Sequence, residues 1–396
     1  MKVNPPGPPG PPNPSPDNTC FQDLRTKLQG LQGQFISVTI SGCCDIIQGR
    51  IFRVDEGSLI LVGEFGTRII PICTISSIDF GPFAYVTNSN DDTVSVINTA
   101  NNTVIGLIPV GDGPHGIAIT PDGSRAYTTN FSNNTVSVIN TATNTVLTTI
   151  DLAAAGGDGP LGIAITPDGS RAYTANISNN TVSVINTATN TILTTIDLAA
   201  TGGDSPIDIA ITPDGSRAYT ANRLSNTVSV INTASNMVID TIDLAATGGN
   251  RPNSIAITPD GSRAYTANEF SDNVSVIDTA TNNVLTTISL APAGDGPDDI
   301  AITPDGSRAY TANRLNDTVS VINTALNTVL TTISLAPAGG NSPFAIAITP
   351  DGSRAYTANI DNDTVSVINT ATNTVIGSPI MVGDSPQGIA ITPITI

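Results

Sequence analysis

Tryptophan is absent, histidine occurs once (His115), lysine twice (Lys2 and Lys27), and no cysteine follows Cys73 in the 396-residue sequence. A single histidine excludes a metal centre built on several imidazoles and any repeated His/carboxylate pairing. Beyond residue 73 there is neither a thiol nucleophile nor a Schiff-base amine. A serine nucleophile would need a base, and His115 has no evident Ser partner in its own repeat. Basic residues are scarce overall, 15 Lys and Arg against 33 Asp and Glu, for a net charge of −18. Phosphate binding relies on clustered Lys and Arg, so nucleic acid is excluded as a partner, while cationic partners and divalent ions stay open. No run of about 18 apolar residues exists, so no membrane span is expected. The N-terminus, MKVNPPGPPGPPNPSPDN, has no apolar core for cleavage and export, so export by the ordinary route is not expected.

What is present is Thr, Asn, Ile, Val, Ala and Gly, with charged residues at only 12%. That mixture favours short strands joined by turns over helices. Residues 1–19 read as a Pro-rich flexible leader in which Gly7 and Gly10 mark barely two collagen-like triplets. Residues 20–80 read as a small Cys-containing β-domain, with a helix-capable segment (21–31) followed by five strand-like runs over 34–41, 45–54, 58–64, 67–72 and 74–80. Cys20, Cys43, Cys44 and Cys73 all fall here. Cys43 and Cys44 would point to opposite faces of a strand, which argues against one tetrahedral ion. Disulfides or cross-links between chains are one reading and four reduced thiols the other. A helix followed by five short strands resembles the Sm-like small barrel.

From residue 82 the chain repeats itself. The seven tyrosines, Tyr85, Tyr127, Tyr173, Tyr219, Tyr265, Tyr310 and Tyr356, are spaced by 42, 46, 46, 46, 45 and 46 residues. Each heads a unit of the form AYTANxxxNTVSVINTATNTVLTTIDL, followed by a Gly-rich loop and PxxIAITPDGSR. Four strand-like runs per unit is the spacing of a propeller blade. The first unit lacks its own IAIT strand, and Gly388–Thr392 supplies one at the end. The expected fold is all-β: a seven-bladed propeller over 82–396 closed by that C-terminal strand.

The motifs YVTN (85–88), YTTN (127–130) and five copies of YTAN, each followed by NTVSVINTATNTV-like and GIAITPDGSRAY-like runs, resemble the YVTN-family β-propeller repeat proteins of bacterial and archaeal cell surfaces. The resemblance implies a surface-associated propeller and no particular activity. The leader and the Cys pair also resemble outer-layer proteins of bacterial spores. Together these imply a cell or spore surface location without a classical signal peptide, against a cytoplasmic alternative.

Strand direction sorts the loops by face. The TPDGSR and NTATN turns share one face, hardly vary, and read as scaffold; in each TPDGSR turn Asp and Arg, such as Asp168 and Arg171, cancel in charge. The other face varies and collects acids. Its candidate ligand or partner residues are Asp112, His115, Asp158, Asp204, Asp208, Arg223, Arg251, Glu269, Asp295, Asp298, Asp299, Arg314 and Asp384. Within this set Asp112, Asp158, Asp204, Asp295 and Asp384, with Asn250 and Asn341, form a ring in the loops before the innermost strands. Such oxygens could hold Ca²⁺, but a seven-fold ring is wide for one ion, and Asp or Asn also sets up a Gly-Asp-x-Pro turn through its own side chain. No metal site or cofactor is assigned. The expectation is a non-enzymatic binding or structural surface protein, with partners among proteins or spore-layer components and a homo-oligomer formed through residues 20–80. The alternative is a Ca²⁺-dependent propeller hydrolase such as a lactonase.

Overall fold

The computed structural model describes residues 82–393 in full, and residues 35–40, 46–55, 58–63, 66–71 and 75–79 by their backbone. The chain divides into two compact units, Met1–Phe80 and Gly81–Ile396. In the first, strands Phe35–Ile40, Ile46–Asp55, Ser58–Gly63, Gly66–Pro71 and Ile75–Asp79 pair antiparallel, in the order fourth, third, second, first, fifth. The leader, the helix-capable segment 21–31 and the four cysteines lie outside the described residues.

The second unit is a seven-bladed propeller. Blade 2 shows the pattern, with strands Pro114–Ile119, Arg125–Asn130, Thr135–Asn140 and Thr145–Asp151 running from the channel outward. The two middle strands, RAYTTN and TVSVIN, are buried almost throughout, because neighbouring blades cover both of their faces. The outermost strand alternates exposed and part-buried residues, as a half-solvated strand does. Blade 1 is assembled from both ends of the unit: Pro386–Ile391 pairs with Phe83–Asn88, placing Ile389 opposite Val86. Closure by a C-terminal strand, expected from the repeat phase, is what the topology shows.

The period is set by how each blade grips the next. Every one of the seven tyrosines is buried, and a buried phenol needs a partner for its hydroxyl. Tyr127 donates to Oδ1 of Asn190 in blade 3 at 2.8 Å, and Tyr173 to Asn236 in blade 4 at 3.1 Å. Asn190 itself sits at φ 54° in the tight turn between the two outer strands, a conformation that Asn tolerates better than most residues. One residue therefore makes the turn and receives the neighbour's tyrosine. The arginine of each TPDGSR turn adds a second latch, Arg125 Nη1 donating to the carbonyl of Thr187 at 2.7 Å. The loops of the opposite face use the same device. Asn134 (φ 57°) accepts the backbone N–H of Gly159 at 2.8 Å, and Asp272 (φ 49°) that of Gly296 at 2.9 Å.

The seven innermost strands begin after the inter-blade prolines and surround the channel. At the second position after proline, blades 1, 2 and 3 carry Gly388, Gly116 and Gly162, where the strands approach very closely. A Cβ at Gly116 would lie 2.3 Å from the carbonyl oxygen of Leu161, and one at Gly388 only 2.1 Å from that of His115. Blades 4 to 7 carry Asp208, Ser254, Asp299 and Ala345 at this position. The channel mouth is therefore lopsided by sequence, polar on one side and bare on the other.

Candidate functional site at the channel mouth

In six of the seven blades the first two residues after the inter-blade proline, and in blade 3 the second alone, line a cavity of about 160 Å³ on the varied face, several times the ~30 Å³ share of one water molecule. Its polar wall comes from three consecutive blades: Asp208 in blade 4, Asn253 and Ser254 in blade 5, Asp298 and Asp299 in blade 6. Ile207, Phe344, His115 and Gln387 line the rest together with the glycines. The His115 ring meets that of Phe344 edge-on, with centroids 5.6 Å apart.

At the centre of the polar wall two carboxylates meet on one hydroxyl. Ser254 Oγ lies 2.8 Å from Oδ2 of Asp208 and 2.6 Å from Oδ1 of Asp299. A serine hydroxyl has one proton to give. Both contacts are hydrogen bonds only when one of the two carboxyls is itself protonated and donates to Ser254, so the arrangement shares a proton among three groups. The electrostatics agree. Burial, reinforced by the charge of Asp299, pushes Asp208 up to about 6. Burial also raises Asp299, against the pull of its hydrogen bonds. Asp208 accepts from the backbone N–H of Ile209 in its own strand at 2.8 Å and, across the blade seam, from that of Ile255 at 2.9 Å; Asp299 likewise accepts from Ile300 at 2.8 Å and across the seam from Ile346 at 2.7 Å.

A chain of ion pairs closes the polar wall from above. Arg223 donates to Glu269 at 2.5 Å, Glu269 lies 3.4 Å from Arg314, and Arg314 is bonded to Asp298. Asp298 also accepts from Nδ2 of Asn253 at 2.6 Å. Burial pushes Asp298 up to about 6 even though Arg314 pulls the other way. Burial lowers His115 to about 4, so its ring is neutral at neutral pH.

Of the residues singled out from sequence, His115, Asp208, Asp298 and Asp299 line the cavity, and Arg223, Glu269 and Arg314 form the chain beside it. Arg251 is exposed, its guanidinium carbon 5.5 Å from the centre of the Phe270 ring. Asp112, Asp158, Asp204, Asp295 and Asp384 are exposed in the preceding loops and do not line the cavity. There their backbone carbonyls receive N–H groups of the neighbouring loop, as Asp112 does from Ser132 at 3.1 Å. Ser254 and Asn253 were missed as functional candidates, although they hold the same two positions after proline as Asp298 and Asp299. Being uncharged, they did not register in a count of acids.

Among the described residues no three His, Cys, Asp or Glu side chains converge as a metal site, whereas Ca²⁺ takes six to eight oxygens. The four carboxylate oxygens of Asp208 and Asp299 already accept hydrogen bonds within the wall.

A family model described as the seven-bladed β-propeller lactonase matches residues 81–238 and 239–377. No curated protein matches the chain. Among solved structures, it is similar to a functionally unknown protein from Desulfotomaculum acetoxidans DSM 771, at 22% identity and a TM-score of 0.67, covering 78% of this chain and 99% of that one. It is also similar to candidate 6-phosphogluconolactonases from Bacteroides uniformis ATCC 8492 and Bacteroides fragilis NCTC 9343. These share 20% identity with it, at TM-scores of 0.65 and 0.63; each comparison covers 79% of this chain, with 100% and 98% of the other. At such identities the solved structures establish the fold, and the family match bears on the chemistry. It overturns the expectation of a non-enzymatic binding or structural protein and favours the hydrolase alternative. The compositional case against an enzyme excluded thiol, amine and imidazole chemistry; it did not exclude a pair of carboxylates acting on water.

Proposed function

The chain belongs to the seven-bladed β-propeller lactonase family, and on that premise we propose that it hydrolyses a cyclic ester in the mouth of its central channel, with Asp208 and Asp299 as the acid–base pair. The observation that carries the proposal is the meeting of both carboxylates on Ser254 Oγ. Two carboxyls that share one proton supply a base and an acid in the same resting state.

The ionised member takes a proton from water as the water oxygen bonds to the ester carbonyl carbon. The protonated member gives its proton to the ring oxygen as the carbon–oxygen bond breaks. A hydroxy acid results and the pair again holds one proton. Ser254 is only 4% exposed, which suits a hydroxyl that positions the two carboxylates rather than one that attacks substrate. His115, neutral at the working pH, and Gln387 on the same mouth offer uncharged N–H donors to the oxyanion that develops on the carbonyl oxygen. Ile207 and Phe344 cover the apolar face of the ring.

The repeat motifs support placing the propeller among YVTN-type chains. The five-stranded antiparallel sheet supports an Sm-like fold for residues 20–80, with domains at 1–19, 20–80 and 82–396. The activity is tested by following acid release from a panel of five- and six-membered lactones at fixed pH. Turnover of at least one ring above the rate in buffer is expected, and turnover of none rejects the proposal.

A further inference from the structure

The hydrogen-bond and charge inventory of the mouth also limits what kind of lactone can enter it. An anionic substituent such as a phosphate needs Arg, Lys or free backbone N–H groups to receive it. None of the residues lining this cavity carries a positive charge, since its single histidine is neutral. The two arginines beside it are already paired with carboxylates, Arg223 with Glu269 and Arg314 with both Glu269 and Asp298; Nε of Arg223 has no partner, but it is buried and its residue does not line the cavity. The inner-strand N–H groups are engaged as well, those of Ile209, Ile255, Ile300 and Ile346 being bonded to Asp208 and Asp299.

What the lining presents to a ligand is acceptors rather than cations. Three carboxylates line it, and the side-chain oxygen of Asn253, a residue 7% exposed, is buried with no hydrogen-bond partner. A buried acceptor left unpaired is costly, and a ligand hydroxyl is the complementary group. From this inventory we infer that the site selects an uncharged lactone bearing several hydroxyl groups and turns away the phosphorylated or carboxylated forms of the same ring. The inference rests on the hydrolase reading for its substrate, and it also accounts for product release. Hydrolysis turns a neutral ring into a carboxylate beside Asp208, Asp298 and Asp299, where like charges repel.

The test uses the full chain and a pair of ligands that cannot be hydrolysed, gluconolactam and its 6-phosphate, with binding measured by calorimetry at low ionic strength. The uncharged lactam is expected to bind at least about tenfold more tightly, as like-charge repulsion in a partly desolvated cleft dictates. The gap is expected to narrow in 0.5 M salt, on the order of a 4 Å screening length. In Glu269→Gln, which releases Arg223 and leaves Arg314 on Asp298 alone, affinity for the phosphate is expected to rise by about tenfold. Should that variant fail to fold, the wild-type comparison decides alone. Equal or tighter binding of the phosphate, or binding of neither ligand, overturns the inference. Discrimination between the two lactams in a protein that hydrolyses no lactone upholds the charge selection and instead refutes the hydrolase reading.

Discussion

The hydroxyl of Tyr356 donates to Oδ1 of Asn102 at 2.7 Å across 254 residues of sequence. It is the same latch that joins every other pair of neighbouring blades, here closing the ring between blade 7 and blade 1. Arg354 Nη1 repeats the connection, donating to the carbonyl of Thr99 at 2.6 Å. Tyr356→Phe removes the donor and leaves a part-buried acceptor unsatisfied, which costs about 1–2 kcal/mol. A matching fall in urea-unfolding free energy is expected. Removal of residues 386–396 takes away the innermost strand of blade 1 and leaves Phe83–Asn88 as an open edge. That truncation is expected to lose the single cooperative transition and to aggregate, as read by light scattering during the melt.

Glycine at the inner strands is a matter of space. Gly116→Ala places a methyl group 2.3 Å from the Leu161 carbonyl oxygen, and a backbone atom cannot step aside as a flexible side chain can. A loss of about 1–3 kcal/mol is expected from this overpacking. Gly106, in the outermost strand of blade 1, has nothing within 4 Å of the same added atom. Gly106→Ala is expected to be neutral or slightly stabilising, because it lowers the entropy of the unfolded chain. Thermal denaturation of the two variants side by side separates close packing from glycine flexibility; equal losses would contradict this account.

The period, the four strands of each blade and the closing strand were all legible in the sequence, because each follows from a local signal. Tyrosine must be buried and latched, Asn must turn, and the IAIT strand is missing at one end and left over at the other. The site was legible only in part. Repeat phase tells which residues are equivalent, but not how far each lies from the channel axis. Loop acids such as Asp112 and Asp384 were therefore grouped with Asp208 and Asp299, although only the latter belong to strands that line the channel. Ser254 gave no charge signal, and its importance comes from accepting contacts with two neighbours at once, a relation between three blades that no single repeat contains.

Stability is expected to depend on pH through two groups of opposite sign. Asp122, Asp168, Asp214, Asp260 and Asp305 are held below their ordinary value, first by a hydrogen bond from the threonine two residues earlier. Their contribution is full well above the unfolded value of 3.8 and is lost as pH falls from there through the lower folded value. Asp208 and Asp298 titrate at about 6 when folded. Their contribution is full below 3.8 and is lost as pH rises to about 6. His115, lowered from 6.5 to about 4, works against them in this window, since its unfolded form takes up a proton first as pH falls. Asp208→Asn removes the Asp208 contribution and leaves those of Asp298 and His115 in place. The difference in melting temperature between variant and wild type is expected to shift in the variant's favour from pH 4 to pH 7, and a difference that does not change with pH would contradict the raised value.

Ser254→Ala keeps the backbone and both carboxylates but removes the hydroxyl that they share. Hydrogen bonds to charged groups contribute about 1.5–3 kcal/mol each, and without this one the two carboxylates face each other with less separation of their roles. A fall in kcat of roughly 10- to 100-fold is expected, within the range of general acid–base contributions, together with a change in how the rate depends on pH. A Ser254→Ala enzyme with an unchanged pH profile would show that the hydroxyl only fills space.

The most direct measurement of the central claim is steady-state acid release from the best lactone substrate by the wild type, Asp208→Asn, Asp299→Asn and the double variant, all shown to be folded by their melting curves. If the two carboxylates act as one acid–base unit, each single variant loses about 10²–10⁴-fold in kcat, and the double variant loses little more than either, because a broken pair cannot be broken twice. Full activity in either single variant would contradict the assignment and move the chemistry away from this wall of the channel.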